Sequence, residues 1–260
     1  MGRCVFCGWE GTLTKEHAWP DWIRDVLPAG HVKGHSQQHR VAATTGEVTA
    51  ITPVLHEKAA NRKVQVVCQR ECNGGWMSDL ENTAKPLLVP IILGEAPHLS
   101  EQDQTTISLW AAKTAMMLQL MHPMAIRGIP AAHYQYVYEH REAPSPMRVW
   151  LSAASSHFYR TAHYTRGYRL PGAVPPWLQP PPGEPTPPNA YTSVMVIGRL
   201  VISLLGWTIL DGDFSVAPED PWAPARRCIW PPRPGGWSWP PDVALGSLVD
   251  IERFAAAATY

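Results

Sequence analysis

The sequence predicts an α+β protein in two parts, a cysteine-stapled module over residues 1–95 and a helix packed on an antiparallel sheet over residues 96–260. Three observations carry that expectation. Four of the five cysteines form two close pairs inside the first part, one long run of helical period opens the second, and several runs rich in Val, Ile, Thr and Tyr follow it.

The cysteine pairs are Cys4–Cys7, in "CVFCG", and Cys68–Cys72, in "CQRECN". The start, "MGRCVFCGWEG", has no apolar leader, which points to a cytoplasmic chain. There, two pairs about 60 residues apart read as a tetrahedral structural zinc site in preference to disulfides, with buried or redox-active thiols as the alternative. Cys228 has no partner in sequence and reads as a packing residue. Between the pairs, "HRVAATTGEVTAITPV" places two β-branched runs about Thr45-Gly46, a hairpin, and "RKVQVVC" leads a strand into the second pair. "NGGWMSDLENTAKPLL" then predicts a helix that begins near Asn73 and stops before Pro86.

In the second part, Ser100 and the acids after it open a helix that Pro123 closes, with Ile107, Trp110, Ala111, Thr114, Met117 and Leu118 at helical spacing. "MRVWLSA", "HFYRTAHYTRGYRL", "YTSVMVIG" and "RLVISLLGW" read as strands, and "SLVDIERFAAAA" as a short closing helix. Residues 171–188 hold nine prolines in eighteen positions and read as a stiff loop. The tryptophans of "WPPRPGGWSWPP" read as a loop packed over the core, with a ligand groove as the alternative.

Charge excludes a global electrostatic partner: 22 basic residues balance 22 acidic ones, so any polyanion site is a local patch. Residues 192–210 are long and apolar enough to resemble a membrane span. Gly198 and Arg199 near the middle instead divide the run into two buried strands, so no membrane is expected.

"LTKEH" with a proline three residues on sets Glu16 beside His17, nine residues after Cys7. Taken with "CVFCG" and "CQRECN" before a helix, this pattern over residues 1–90 resembles the HNH endonuclease family, a ββα-metal module stapled by a four-cysteine zinc knuckle. The chain differs from the usual pattern in having Glu for Asp at position 16, CxxxC in place of the second CxxC, and a longer interval before Asn73, which makes the intervening hairpin an insertion. The resemblance implies a metal-dependent endonuclease acting on phosphodiester bonds of DNA, or RNA. His17 would be the general base, and Glu16 and Asn73 would hold a catalytic Mg²⁺ or Mn²⁺. A histidine with an ordinary pKa of about 6.5 can accept a proton at neutral pH, and carboxylate and amide oxygens suit a hard divalent ion. The competing reading is a non-catalytic zinc-binding adaptor on the same scaffold, meeting nucleic acid or a protein partner through the C-terminal part.

Other residues extend the candidate list. Arg160, Arg166 and Arg169 alternate with aromatics including Tyr164 and Tyr168 and contain no acid between them, a strip that could follow a phosphate backbone or serve as ordinary cross-strand pairs. His31, His35 and His39 read as a solvated turn or a second metal site. His56 lies closer to the second cysteine pair and reads as an ordinary histidine or one that could meet phosphate or metal. Glu81 and Lys85 lie on the helix after Asn73, either as an exposed face or reaching the site.

Overall fold

The computed structural model describes residues 1–27, 35–42, 47–50, 63–122, 127–168, 188–209 and 220–256, with backbone alone at 35–42, 47–50, 159, 160 and 256. The chain begins with β1 (Gly2–Arg3) and β2 (Glu10–Gly11), an antiparallel pair closing the turn that carries Cys4 and Cys7. Gly8 occupies that turn at φ 74°, where a side chain would be strained, and its N–H bonds back to the Cys4 carbonyl at 3.0 Å.

Next come β3 (Leu13–His17), the short α1 (Ile23–Val26), β4 (His35–Ala42), β5 (Glu47–Ala50) and β6 (Lys63–Cys68). β3 and β6 pair antiparallel, from Leu13 opposite Cys68 to His17 opposite Lys63. From β6 the chain enters a wide helical turn, Gln69–Met77, and continues as α2 (Ser78–Leu93). β3, β6 and the helix after β6 therefore surround the cysteines, with α1, β4 and β5 lying between the two strands in sequence.

The sequence places the end of that helix before Pro86, yet α2 runs through both Pro86 and Pro90 to Leu93, where Gly94 at φ 89° stops it. Each proline removes one helical N–H, but Ala84, Leu88, Ile91 and Ile92 lie on a fully buried face. Burial of that face outweighs the lost bonds: at about 25 cal/mol per Å², each large aliphatic side chain contributes roughly 2 kcal/mol.

After β7 (His98–Leu99) comes α3 (Glu101–Gln119), which starts as the sequence indicates. The Ser100 hydroxyl accepts from the Asp103 N–H at 3.2 Å, and the Asp103 carboxylate accepts from the Ser100 N–H at 2.9 Å. From Thr106 to Gln119 the helix is buried all round, polar residues included, so it forms the axis of the molecule. α4 (Ala131–His140) follows, a helix with no clear apolar period to announce it.

The sheet is built from β8 (Met147–Ala154), β9 (Tyr159–Tyr168), β10 (Ala190–Gly198) and β11 (Leu200–Trp207), then β12 (Arg227–Trp230). With β4 and β5 the order is β12-β8-β11-β10-β9-β4-β5, and β14 (Ala244–Leu245) lies parallel beside β8, whereas β13 (Trp237–Ser238) pairs with β7. β10 and β11 form the expected hairpin, turning at Gly198 with φ 56°. No helix among the described residues is long and apolar enough to cross a membrane. The hairpin β4–β5 confirms the two β-branched runs, and β4 docks parallel to β9 at the sheet's end.

Both faces of the sheet are covered, which explains its uninterrupted apolar runs. Met195, Ile197, Ile202 and Leu204 face a cluster with α2 and α3, while Val194, Val196 and Val201 meet α5 (Leu248–Ala256) through Ile251 and Phe254. The larger cluster extends from Cys4 to Trp239, so packing is continuous across residue 95. Trp239, 3% exposed, packs into it, as a tryptophan loop over the core requires. The proline-rich 171–187, His31 and His56 lie outside the described residues, as do the side chains of His35 and His39.

Candidate functional site

The four paired cysteines converge. Cys4, Cys68 and Cys72 are buried and Cys7 half-buried, and their sulfurs all lie within 4.8 Å of one another. Cys4 and Cys72 Sγ are 3.6 Å apart, Cys7 and Cys68 Sγ 3.5 Å. A zinc ion with Zn–S bonds of about 2.3 Å needs sulfurs roughly 3.8 Å apart along each tetrahedral edge, so the cluster fits a structural metal such as zinc. The local fold makes the arrangement: β1–β2 presents the first pair, β6 delivers the second, and Val5 N–H bonds to the Val66 carbonyl at 3.0 Å between them. Charge supports the same fit. The contact between the Cys4 and Cys72 sulfurs holds Cys4 down to about 4 and pushes Cys72 far up, while burial raises Cys7 to about 11. Sulfurs this close cannot all become thiolates without a cation among them.

Glu16 and His17 end β3 and line the same cleft, a cavity of about 370 Å³. The cleft also takes Asp21, Asp25, Glu81 and Lys85, so the helix residues Glu81 and Lys85 share its lining with the pair. Burial raises the Glu16 carboxyl above its ordinary value, with the Lys113 charge opposing and the Glu81 charge adding to the rise. Burial lowers His17, and the nearby Lys63 charge lowers it further against the pull of Asp21. A neutral imidazole at neutral pH results.

Asn73 is held differently. Its Nδ2 donates to Thr14 Oγ1 at 3.0 Å, and that hydroxyl donates to the Val67 carbonyl at 3.2 Å, so the side chain is tied to the β3–β6 pair two residues from Glu16. Asn73 is not among the residues that line the cleft. The amide nitrogen is spent on Thr14, which leaves the carbonyl oxygen as the atom able to meet a cation.

Sequence reasoning put Glu81 near the site but missed the partners that hold it. Glu81 Oε2 accepts from Trp22 Nε1 at 2.7 Å and Trp110 Nε1 at 3.0 Å, and its Oε1 pairs with Lys113 Nζ at 2.5 Å. Lys113 is 1% exposed, a cation sunk in α3 where a core residue is expected. A lone Lys inside an apolar helical face was the signal for it. Asp21 was missed as well, although it stands four residues after His17 and its Oδ1 lies 3.5 Å from His17 Nε2.

The aromatic strip of β9 runs between β10 and β4. Tyr164 is 5% exposed, opposite Val194 and in the core cluster that includes Phe254, and Tyr168 is half-buried with its hydroxyl 3.4 Å from Thr192 Oγ1. Arg166 is half-buried opposite Thr192, while the side chain of Arg160 and all of Arg169 lie outside the described residues. Cys228 is half-buried beside Trp230, its Sγ 3.2 Å from that residue's carbonyl oxygen.

The cysteine cluster is the one group of three or more His, Cys, Asp or Glu side chains with metal-binding geometry among the described residues. The chain matches no protein-family model, no curated protein and no solved structure, which leaves the geometry of the site as the ground for a functional reading.

Proposed function

We propose that the chain is a metal-dependent endonuclease hydrolysing phosphodiester bonds of DNA, in which His17 is the general base and Glu16 and Asn73 hold a catalytic Mg²⁺ or Mn²⁺. One observation carries this reading: Glu16 and His17 stand together over a cleft at the end of a strand whose antiparallel partner runs into the cysteine turn and then a helix. This strand–strand–helix order is what the resemblance to the HNH family requires of residues 1–90.

The roles divide by chemistry. His17, with its pKa lowered by burial, offers a free ring nitrogen to a water proton at neutral pH. Glu16 supplies a carboxylate oxygen and Asn73 an amide oxygen, the hard ligands that Mg²⁺ and Mn²⁺ take. When bound, the ion neutralises charge on the scissile phosphate and on the departing 3′ oxygen. Lys85 on the cleft wall and Lys63 opposite His17 supply positive charge that a phosphate backbone could use. The cysteine cluster serves as a clamp, because Asn73 directly follows Cys72 and moves with it.

The experiment is divalent-ion titration calorimetry on the zinc-loaded chain and on Glu16→Ala and Asn73→Ala. Both substitutions should weaken Mn²⁺ binding and cleavage together, with excess Mn²⁺ restoring part of the activity and zinc content unchanged. Unchanged Mn²⁺ affinity in both variants would remove the ligand assignment. A second reading, a zinc-stapled adaptor without catalysis, is favoured by Asn73 standing off the cleft lining. It predicts no cleavage with any divalent ion.

A further inference from the structure

We infer that Asp21 is a positioning residue for His17, setting which ring nitrogen carries the proton and which faces the substrate; this rests on the reading of His17 as the base. Asp21 Oδ1 lies 3.5 Å from His17 Nε2, and both side chains line the cleft. Arg24 pairs with the same Oδ1, and the Arg24 Nε–H reaches the Asp21 carbonyl at 3.4 Å.

The turn that carries Asp21 is anchored as well. Ile23 N–H bonds to the Pro20 carbonyl at 3.2 Å and Arg24 N–H to the Asp21 carbonyl at 3.2 Å, winding the backbone just after His17. Trp22, the next residue, is pinned through its indole N–H to Glu81, which Trp110 and Lys113 of α3 hold in turn. A chain of contacts thus reaches from the buried axis of the molecule to the imidazole. Its consequence is chemical. A carboxylate facing Nε2 favours the tautomer with the proton on Nε2 and leaves Nδ1 as the proton acceptor.

The two carboxylates beside His17 then have separate tasks. Glu16 meets the cation, Asp21 orients the base, and neither carboxylate does the other's work. An unoriented imidazole would spend part of its time as the wrong tautomer or rotamer, and misplacement of a reacting group by about 1 Å costs about 10²-fold in rate.

The test uses the full zinc-loaded chain and two readouts. Long-range ¹H–¹⁵N correlation of the histidine rings, recorded well above the ordinary imidazole pKa of about 6.5 and with His17 assigned from His17→Gln, reports the tautomer directly. Wild type should show a single His17 tautomer protonated at Nε2, Asp21→Ala a mixture, and Asp21→Glu the wild-type pattern. In plasmid cleavage, Asp21→Ala should lower kcat about 10²-fold with KM and Mn²⁺ affinity unchanged. An identical His17 tautomer in wild type and Asp21→Ala overturns the inference whether or not the chain cuts DNA, and so does a kcat equal to wild type in an active enzyme. A tautomer shift in a chain that cuts nothing upholds the placement of His17 by Asp21 and removes only the nuclease reading.

Discussion

Replacing Lys113 by Met removes a cation that is 1% exposed while keeping most of the aliphatic volume in α3, so no cavity opens. What changes is the counter-charge facing Glu81. Removing one partner of a buried pair costs about 3–5 kcal/mol, because the other charge stays behind without compensation. Glu81 keeps two indole N–H donors and its side chain is 18% exposed, which places the cost at the lower end, about 3 kcal/mol. At about 2–4 °C per kcal/mol for a chain of this size, Tm should fall by roughly 6–12 °C. Glu81→Gln, which takes from the ammonium its ion-pair partner, should cost at least as much. The double variant Lys113→Met/Glu81→Gln should lose less than the sum of the two, with a coupling of about 2 kcal/mol measured by urea unfolding of all four proteins. A Lys113→Met protein within about 0.5 kcal/mol of wild type, or strictly additive losses, would refute the claim that this pair holds α2 to α3.

Two further outcomes follow from the same geometry. The purified chain should carry one zinc, and Cys68→Ser should lose it and unfold the N-terminal module first, seen as metal content by emission spectroscopy and as early loss of protection in hydrogen exchange. Acid should also destabilise the fold in a defined window. His133 is held down to about 4 and His163 to about 3, both by burial, so below about pH 6.5 the unfolded chain binds protons that the folded chain refuses. Stability from these groups is complete above pH 6.5 and falls as pH drops through the folded values, by about 3 kcal/mol for His133 and about 5 kcal/mol for His163. Urea unfolding at stepwise pH measures it, and a flat profile between pH 7 and 4.5 would contradict it.

What the sequence made legible was local. Ser100 and Asp103 announced the start of α3, the spacing from Ile107 to Leu118 gave its course, and Gly198 divided an apolar run into two strands. The cysteine cluster was legible because its two ligand pairs carry their own spacing. What stayed hidden depended on partners distant in the chain. α2 continues through Pro86 and Pro90 only because a buried face holds it, and β4 lies beside β9 by a parallel pairing across more than a hundred residues, from His35 with Ala162 to Arg40 with Gly167. Within the site, Glu16 and His17 were visible as neighbours, whereas Asp21 became meaningful only once the turn after Pro20 set its carboxylate toward His17. The Glu81–Lys113 pair joins α2 to α3 across 32 residues, and no short motif encodes it.

The most direct measurement is nicking of supercoiled plasmid by the zinc-loaded chain with Mg²⁺ or Mn²⁺, wild type beside His17→Ala. Removal of a placed general base costs about 10²- to 10⁴-fold in rate, so His17→Ala should leave the plasmid supercoiled while zinc content, Mn²⁺ affinity and DNA binding match wild type. Cleavage by His17→Ala at the wild-type rate, or no nicking by wild type of DNA or RNA with Mg²⁺, Mn²⁺ or Ni²⁺, would contradict the nuclease account and leave the adaptor reading in its place.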